Sequence, residues 1–448
     1  MSGVSLASTA PPARAAHWLE RALRRRILEL LRGMPDCELL ISEGPARTAL
    51  SARKRDSSAT LCASVQIHDP AFYRLAALNG SVGAAEAFME GLWDCDDLVT
   101  LVRILVRNRD RLDAMERGPA RLGGVLLRAW AALRPNTRAG SRRNIAAHYD
   151  LGNELFKLFL DDNLMYSSAL FASEHESLEA ASTRKLERIC EKLELSPQTR
   201  VIEIGTGWGG FALHAATHHG CHVTTTTISR EQYELACSRV AAAGLQDRVD
   251  VLLTDYRQLR GRYDRLASIE MIEAIGHRQL GDYFHQVGEL LHDDGMALIQ
   301  AITIEDYRYA QALRSVDFIQ RHIFPGSFLP SISAMLSALA RVSDLKLFNL
   351  EDIGPSYALT LHAWRQRFIR QREKVRALGY PDRFLRMWEF YLAYCEGAFI
   401  ERSIGDVQML LVKPRARRQQ YIPGLLGNDV DPPGRGPIKG TANPSAET

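Results

Sequence analysis

Long apolar runs are scarce in this chain. The longest, around Gly295 to Ile302, falls far short of the ~20 residues that a membrane-spanning helix needs, so no transmembrane segment is expected. Met1 to Pro12 lacks a charged start followed by an apolar core, and Arg21, Arg24, Arg25 and Arg26 interrupt the helix that follows. No secretory signal is read there, and a cytoplasmic location is expected. Cysteine is sparse as well. The seven (Cys37, Cys62, Cys95, Cys190, Cys221, Cys237, Cys395) are odd in number and scattered, with no CxxC pair and no His cluster at metal-ligand spacing. Reduced thiols and no metal are expected. Neither sign of charge dominates, the net charge being +3, and 46% apolar with 24% charged residues is ordinary globular composition. That excludes a disordered chain and a coiled coil. At 448 residues the chain exceeds the usual single core, so two folded parts plus extensions are expected.

The small net charge hides an uneven distribution. From Arg103 to Arg143 there are eleven arginines against three acids (Asp110, Asp113, Glu116). Val125, Leu126, Leu127, Trp130 and Leu133 are interleaved with Arg121, Arg128 and Arg134. A solvated linker is one reading of such a run; a basic amphipathic segment suited to an anionic membrane surface is the other. No nucleic-acid motif accompanies the charge, so no nucleic-acid partner is expected.

Along the chain, residues 1–13 read as a flexible start. Residues 14–33 carry Leu19, Leu23, Ile27, Leu30 and Leu31 at helical spacing, Cys37 to His68 read as short strands with turns, and Ala84 to Val106 as one helix. Together 14–108 make a small α+β unit, and 109–142 a basic connector. From Arg200 on, seven apolar, β-branched runs (Val201–Ile204, Val223–Ile228, Val249–Thr254, Leu266–Met271, Ala297–Ile302, Leu345–Leu350, Val407–Val412) alternate with helical patterns. This predicts a seven-stranded, parallel, doubly wound α/β sheet of Rossmann-like kind within 143–413. Two more helical stretches, Leu359–Ala377 and Pro381–Phe399, bring the last strand back by a long return. Pro414 to Thr448, with six prolines and five glycines in 35 residues, reads as a disordered tail.

The strongest local signal is Val201-Ile202-Glu203-Ile204-Gly205-Thr206-Gly207-Trp208-Gly209-Gly210, a strand running through a glycine turn into a helix. Glycines there admit a ligand close to the backbone, and the helix start offers unpaired N–H groups at a sheet's switch point. Gly205, Gly207 and Gly210 also satisfy the dinucleotide fingerprint, and a purely structural turn is the bland alternative. Glu203 on the strand suits the ammonium of an amino-acid ligand, whereas Ile228-Ser229-Arg230 lacks the acid expected for a ribose diol. S-adenosylmethionine is therefore preferred over a nicotinamide.

Several separate motifs resemble the cyclopropane-fatty-acid synthase family, which includes mycolic acid cyclopropane synthases and fatty-acyl methyltransferases. They are Asn144-Ile145-Ala146-Ala147-His148-Tyr149-Asp150-Leu151-Gly152-Asn153, Met165-Tyr166-Ser167-Ser168-Ala169-Leu170-Phe171, Thr227-Ile228-Ser229-Arg230-Glu231-Gln232, Glu270-Met271-Ile272-Glu273-Ala274-Ile275-Gly276, Ile323-Phe324-Pro325-Gly326 with Leu329-Pro330-Ser331, and Tyr357-Ala358-Leu359-Thr360-Leu361. Ile67 to Tyr73 and Gly91 to Asp94 look like the lipid-handling domain that precedes some of these enzymes. The resemblance implies a methyltransferase domain over 143–413. It puts Tyr166 and Ser167 at the amino-acid end of S-adenosylmethionine, Gly205, Thr206, Gly207, Trp208 and Gly209 beneath it, Thr227, Ile228 and Gln232 near the ribose, and Tyr256 and Arg257 near the adenine. A bicarbonate base is implied at the positions occupied here by Ser168, Glu273, Gln300, Ile302 and Tyr357, of which Ser168 and Gln300 depart from the family's cysteine and histidine. Ala274 stands where some members have histidine. Cys395 matches a cysteine near the family's lipid channel, with a buried structural thiol as the bland reading.

The implied chemistry moves a sulfonium methyl to an acyl double bond in a dry pocket, through a carbocation that aromatic faces tolerate. Phe171, Tyr357, Trp364, Phe390, Tyr391 and Tyr394 are candidates for that lining, or else core, and His148 reads as a core histidine. The implied partners are a membrane phospholipid with unsaturated acyl chains, an anionic membrane surface on whose inner face the chain would sit, and a reductase if the product is a methyl branch rather than a cyclopropane or methylene. A homodimer is left open. The alternatives are a small-amine N-methyltransferase and a lipid-binding protein with a vestigial cofactor site.

Overall fold

Short β-branched runs suit a covered, largely parallel sheet, and the seven runs form one sheet in which the first five run parallel. The computed structural model describes residues 13–35, 37–51, 60–110 and 151–418. Most of the basic connector, His148 and the chain beyond residue 418 lie outside these residues.

The amino-terminal region starts with helix α1 (Ala13–Leu31) and strands β1 (Cys37–Glu43), β2 (Ala46–Ser51) and β3 (Leu61–Ile67), followed by α2 (Ala71–Met89), β4 (Trp93–Cys95) and α3 (Leu98–Arg107). The sheet order is β2-β1-β3-β4, with β1 and β3 parallel. The single helix expected over Ala84 to Val106 is broken. Gly91 turns the chain at φ 73°, Trp93 pairs with Ile67, and Asp97 caps α3 by accepting from Thr100 N at 3.0 Å. Helical periodicity on both sides of the break masks a three-residue strand.

Then come α4 (Leu178–Lys192), β5 (Arg200–Ile204), α5 (Gly210–His219), β6 (His222–Thr227), α6 (Arg230–Ala242), β7 (Val249–Leu253), β8 (Tyr263–Ile269), α7 (Leu280–Glu289), β9 (Leu291–Ile304), α8 (Ile332–Val342), β10 (Lys346–Asp352), α9 (Gly354–Arg370), α10 (Asp382–Ile400) and β11 (Ile404–Val412). The order is β10-β11-β9-β8-β5-β6-β7. The sheet is mixed rather than wholly parallel, because the return through α9 and α10 inserts β11 antiparallel to both β9 and β10. Strands β6 and β7 extend from one side of β5 and β8 and β9 from the other, so the switch point lies at the carboxyl ends of β5 and β8. The described residues continue past Lys413, and Arg415 N donates to Asp293 O at 3.2 Å.

The amino-terminal region and the helical return share one hydrophobic core, which includes Ile41, Phe88 and Trp93 together with Trp364, Trp388 and Phe390. Phe88 and Phe390 rings lie 5.6 Å apart. Arg386 fastens the joint: its guanidinium sits 4.0 Å from the Phe88 ring centre, donates to Trp93 O at 2.9 Å and pairs with Asp94 Oδ1 at 2.7 Å. Arg386→Ala removes the side-chain partner of the Trp93 carbonyl and of Asp94 Oδ1, leaving the Asp94 carboxylate its bond to His68 alone among the described residues. It is expected to lower stability by about 2 kcal/mol, read as a lower melting temperature with the cofactor affinity unchanged.

Candidate active site

The turn after β5 is built from residues without side-chain constraint. Gly205, Gly207 and Gly209 have φ of 105°, 51° and 86°, in the region that L side chains rarely adopt. A Cβ on Gly205 would lie 3.2 Å from Met271, while one on Gly207 would meet nothing within 4 Å. On the strand before the turn, Glu203 is buried and accepts from Thr225 Oγ1 at 2.6 Å, with Thr206 Oγ1 2.8 Å from the same hydroxyl. Burial pushes the Glu203 carboxyl up to about 8, against the opposing pull of the Thr225 bond and of Lys185. Lys185, itself buried on α4, donates to Ser167 Oγ at 2.8 Å, and desolvation brings its ammonium down to about 8.

Beyond β6, Thr227 Oγ1 donates to Gln232 Oε1 at 2.8 Å, and Ser229 caps α6. Asp255 clamps Arg257 at 2.8 and 2.6 Å, placing its guanidinium 5.6 Å from the Tyr256 ring centre. The Trp208 indole donates to Asn153 Oδ1 at 2.7 Å, and Tyr166 and Tyr391 share a hydrogen bond of 2.9 Å.

Most of these groups line one cavity of about 710 Å³, with Lys185, Thr225, Ser229 and Asn153 standing behind its wall. Its wall holds Tyr166, Ser167, Glu203, Gly205, Thr206, Gly207, Trp208, Thr227, Ile228, Gln232, Tyr256, Arg257, Glu273, Ile302, Tyr357 and Cys395. Gly209 stands behind the turn as the cap of α5. Phe390, Tyr391 and Tyr394 are on the wall; Phe171 and Trp364 are not, Trp364 being packed in the core against Phe159, Tyr166 and Tyr357. The Cys395 thiol is held well above its usual range by burial.

Ser168 and Gln300 are also absent from the wall. Both are fully buried and engaged with a carboxylate that sequence reading missed, Glu270. Glu270 Oε1 accepts from Ser168 N and from Gln300 Nε2, each at 2.8 Å, and Oε2 accepts from Tyr357 OH at 2.7 Å. Gln300 Nε2 also reaches Asp406 Oδ2 at 3.0 Å, and its oxygen accepts from Gln408. Glu270 has φ 49°, a left-handed conformation that costs a non-glycine residue about 1–2 kcal/mol. In the sequence Glu270 is marked only as an acid directly after an apolar strand, three residues before Glu273.

Glu273 itself accepts from Ile302 N at 2.6 Å through Oε1, and its Oε2 is buried without a partner among the described residues. Burial, reinforced by the neighbouring Glu270, pushes it up to about 8. Opposite this acidic end the cavity is apolar. Leu39, Val65, Ile67, Leu98, Leu101 and Leu105 of the amino-terminal region form part of the same wall.

The comparisons agree with this geometry. The chain matches the mycolic acid cyclopropane synthetase family over residues 136–409. It is 35% identical to a tuberculostearic acid methyltransferase of Mycobacterium tuberculosis, covering 88% of this chain and 91% of that protein. It is 34% identical to the cyclopropane-fatty-acyl-phospholipid synthase of Escherichia coli, covering 76% and 86%. Among solved structures, a mycolic acid cyclopropane synthase complexed with SAH and CTAB superposes with a TM-score of 0.57 at 28% identity, over 61% of this chain and 98% of that one. With more than half of its length matched and the switch-point cavity in place, the chain belongs to the mycolic acid cyclopropane synthetase family of S-adenosylmethionine-dependent methyltransferases.

Proposed function

We propose that this enzyme transfers the methyl carbon of S-adenosylmethionine to the double bond of an unsaturated fatty acyl chain on a membrane phospholipid. The observation that carries the reading is the continuity of one cavity, from the glycine turn at Gly205 past Glu270 and Glu273 to the apolar face at Leu39, Val65 and Ile67. Each methylene removed from water there is worth about 0.8 kcal/mol, which an acyl chain gains and a small soluble amine does not.

The residues at the polar end fit the cofactor. Glu203, kept largely neutral by burial, suits a cation that would restore its charge. Open space lies beyond Gly207, and Gln232, its carbonyl taken by Thr227, has its NH₂ to offer a ribose hydroxyl. Ser167 is oriented by Lys185, and Tyr256 with Arg257 flanks the place assigned to the adenine. When bound, S-adenosylmethionine supplies an electrophilic sulfonium methyl.

The remaining work falls to the chain itself. The apolar wall excludes water and aligns the alkene, and the faces of Tyr357, Phe390, Tyr391 and Tyr394 stabilise the substrate carbocation. Glu273, with one oxygen fixed by Ile302 N and the other unengaged, accepts the departing proton when ionised; pushed up to about 8, it is the acceptor in a growing share of molecules as pH rises toward that value. Glu270 occupies the donors of Ser168, Gln300 and Tyr357, the partners that the family resemblance assigned to bicarbonate, so in this reading a carboxylate of the chain replaces that ion. Proton loss from the added carbon closes a cyclopropane and loss elsewhere leaves a methylene; a reductase partner supplying hydride gives a methyl branch. Docking on an anionic membrane surface through the arginine-rich stretch after Arg103 belongs to the same reading.

Incubating the pure chain with methyl-labelled S-adenosylmethionine and vesicles of unsaturated phospholipid is expected to place label in the acyl chains. Label confined to headgroups or soluble amines would reject the proposal, and chain mass with retention time separates ring from branch.

A further inference from the structure

Away from the cavity, two helices bring three metal-ligating side chains to one point, with a carboxylate beside the two histidines. Glu187 and Cys190 lie one turn apart on α4 and so share a face, while His214 lies at the middle of α5 and His219 at its carboxyl end. The Cys190 sulfur and a ring nitrogen of each histidine lie within 4.8 Å of one another. The Glu187 carboxylate reaches both imidazoles, 3.0 Å from His214 Nε2 and 3.2 Å from His219 Nε2. Cys190 and His214 are buried, His219 is half-buried, and Glu187 stands at the solvent side with 41% of its side chain exposed. The cluster therefore has a dry floor and an entrance.

We propose that Cys190, His214, His219 and Glu187 form a binding site for one divalent transition-metal ion, with zinc the best match. One sulfur, two imidazole nitrogens and one carboxylate oxygen make a four-ligand set of the type zinc takes. A thiolate with two imidazoles disfavours magnesium and calcium, which prefer oxygen ligands alone. Nearby thiol and imidazole groups are otherwise engaged or offset: Cys221 donates to Ala215 O at 3.4 Å, and His218 packs its ring 4.5 Å from that of His214. Binding would displace the cysteine proton and turn Glu187 from hydrogen-bond acceptor to ligand, with both imidazoles using the ring nitrogens that now face it. No member of the set lines the catalytic cavity. The ion would instead clip α4, which carries Lys185, to α5, which begins at the glycine turn. The sequence expectation of no metal site rested on local spacing; here the ligands are separated by an intervening strand and turn and meet only in the fold.

The test uses the full-length chain stripped with a chelator and titrated with Zn²⁺ or Co²⁺. One ion per chain is expected, bound at micromolar concentration or tighter. Co²⁺ is expected to give the near-ultraviolet thiolate-to-metal absorption of a tetrahedral site, and Zn²⁺ to raise the melting temperature. His219→Gln, at a half-buried position, should weaken binding at least tenfold, and Cys190→Ser should remove the thiolate band. Absence of saturable binding, a cobalt spectrum without that band, a band that survives Cys190→Ser, or unchanged affinity in His219→Gln would each overturn the proposal. Should Cys190→Ser fail to fold, His219→Gln with the wild-type cobalt spectrum decides.

Discussion

Glu203→Gln is expected to weaken S-adenosylmethionine binding about 10- to 100-fold and to abolish a proton release that accompanies binding to the natural chain. The magnitude follows from losing a charged hydrogen bond, worth about 1.5–3 kcal/mol, at 1.4 kcal/mol per tenfold. The proton follows from the site. In the free protein the Glu203 carboxyl is pushed up to about 8, so near pH 7 it is mostly protonated. An ammonium placed beside it favours the carboxylate, and the proton must leave. Affinity is therefore expected to climb with pH until about 8 and to level off above. The same shift acts on the free protein in the opposite sense. Because the folded value lies above the ordinary 4.5, its stabilising contribution is complete below about 4.5 and is lost as pH rises through about 8. Glutamine keeps the Thr225 hydrogen bond and the volume, which isolates the charge. Calorimetry in buffers of differing ionisation enthalpy measures the proton count, and an equal count in both proteins would defeat the assignment.

Glu203 and the glycine turn were legible in the sequence because their determinants are local: a buried strand, a turn that only glycine accommodates, and a helix start within ten residues. The seven strands were legible for the same reason, each being an apolar run of its own. What escaped was set by partners distant in the chain. The antiparallel direction of β11 depends on the return through α10, and β4 exists only because Trp93 meets Ile67. Lys185 sits in a helical pattern that looks like any solvated face, yet its ammonium is buried against Ser167. Ser168 and Gln300 were legible as departures from a family pattern, but not as a coordinated set. Their meaning depends on a third residue, Glu270, whose carboxylate both of them and Tyr357 hold.

That coordination sets the second large effect. Glu270→Gly is expected to lower the methylation rate about 100-fold or more, in the range for removing a positioned carboxylate from a reacting site. It should do so without loss of fold, since glycine relieves the left-handed backbone at φ 49°. The variant leaves Ser168 N, Gln300 Nε2 and Tyr357 OH as three donors around a gap of carboxylate size. Bicarbonate or formate at tens of millimolar is then expected to restore the rate at least tenfold, while the natural chain ignores either ion because its own carboxylate fills the place. Glu270→Gln separates charge from space: it fills the gap, presents an NH₂ where an acceptor is required, and should be slow and beyond rescue. Asp406, held well above its ordinary value by burial and by Glu270 and Glu273 beside it, would be pushed up less in either variant, so the rates are best compared across pH. A natural chain that depends on added bicarbonate, or a glycine variant that works at full rate without it, would show that Glu270 serves the backbone of this turn and not the reaction.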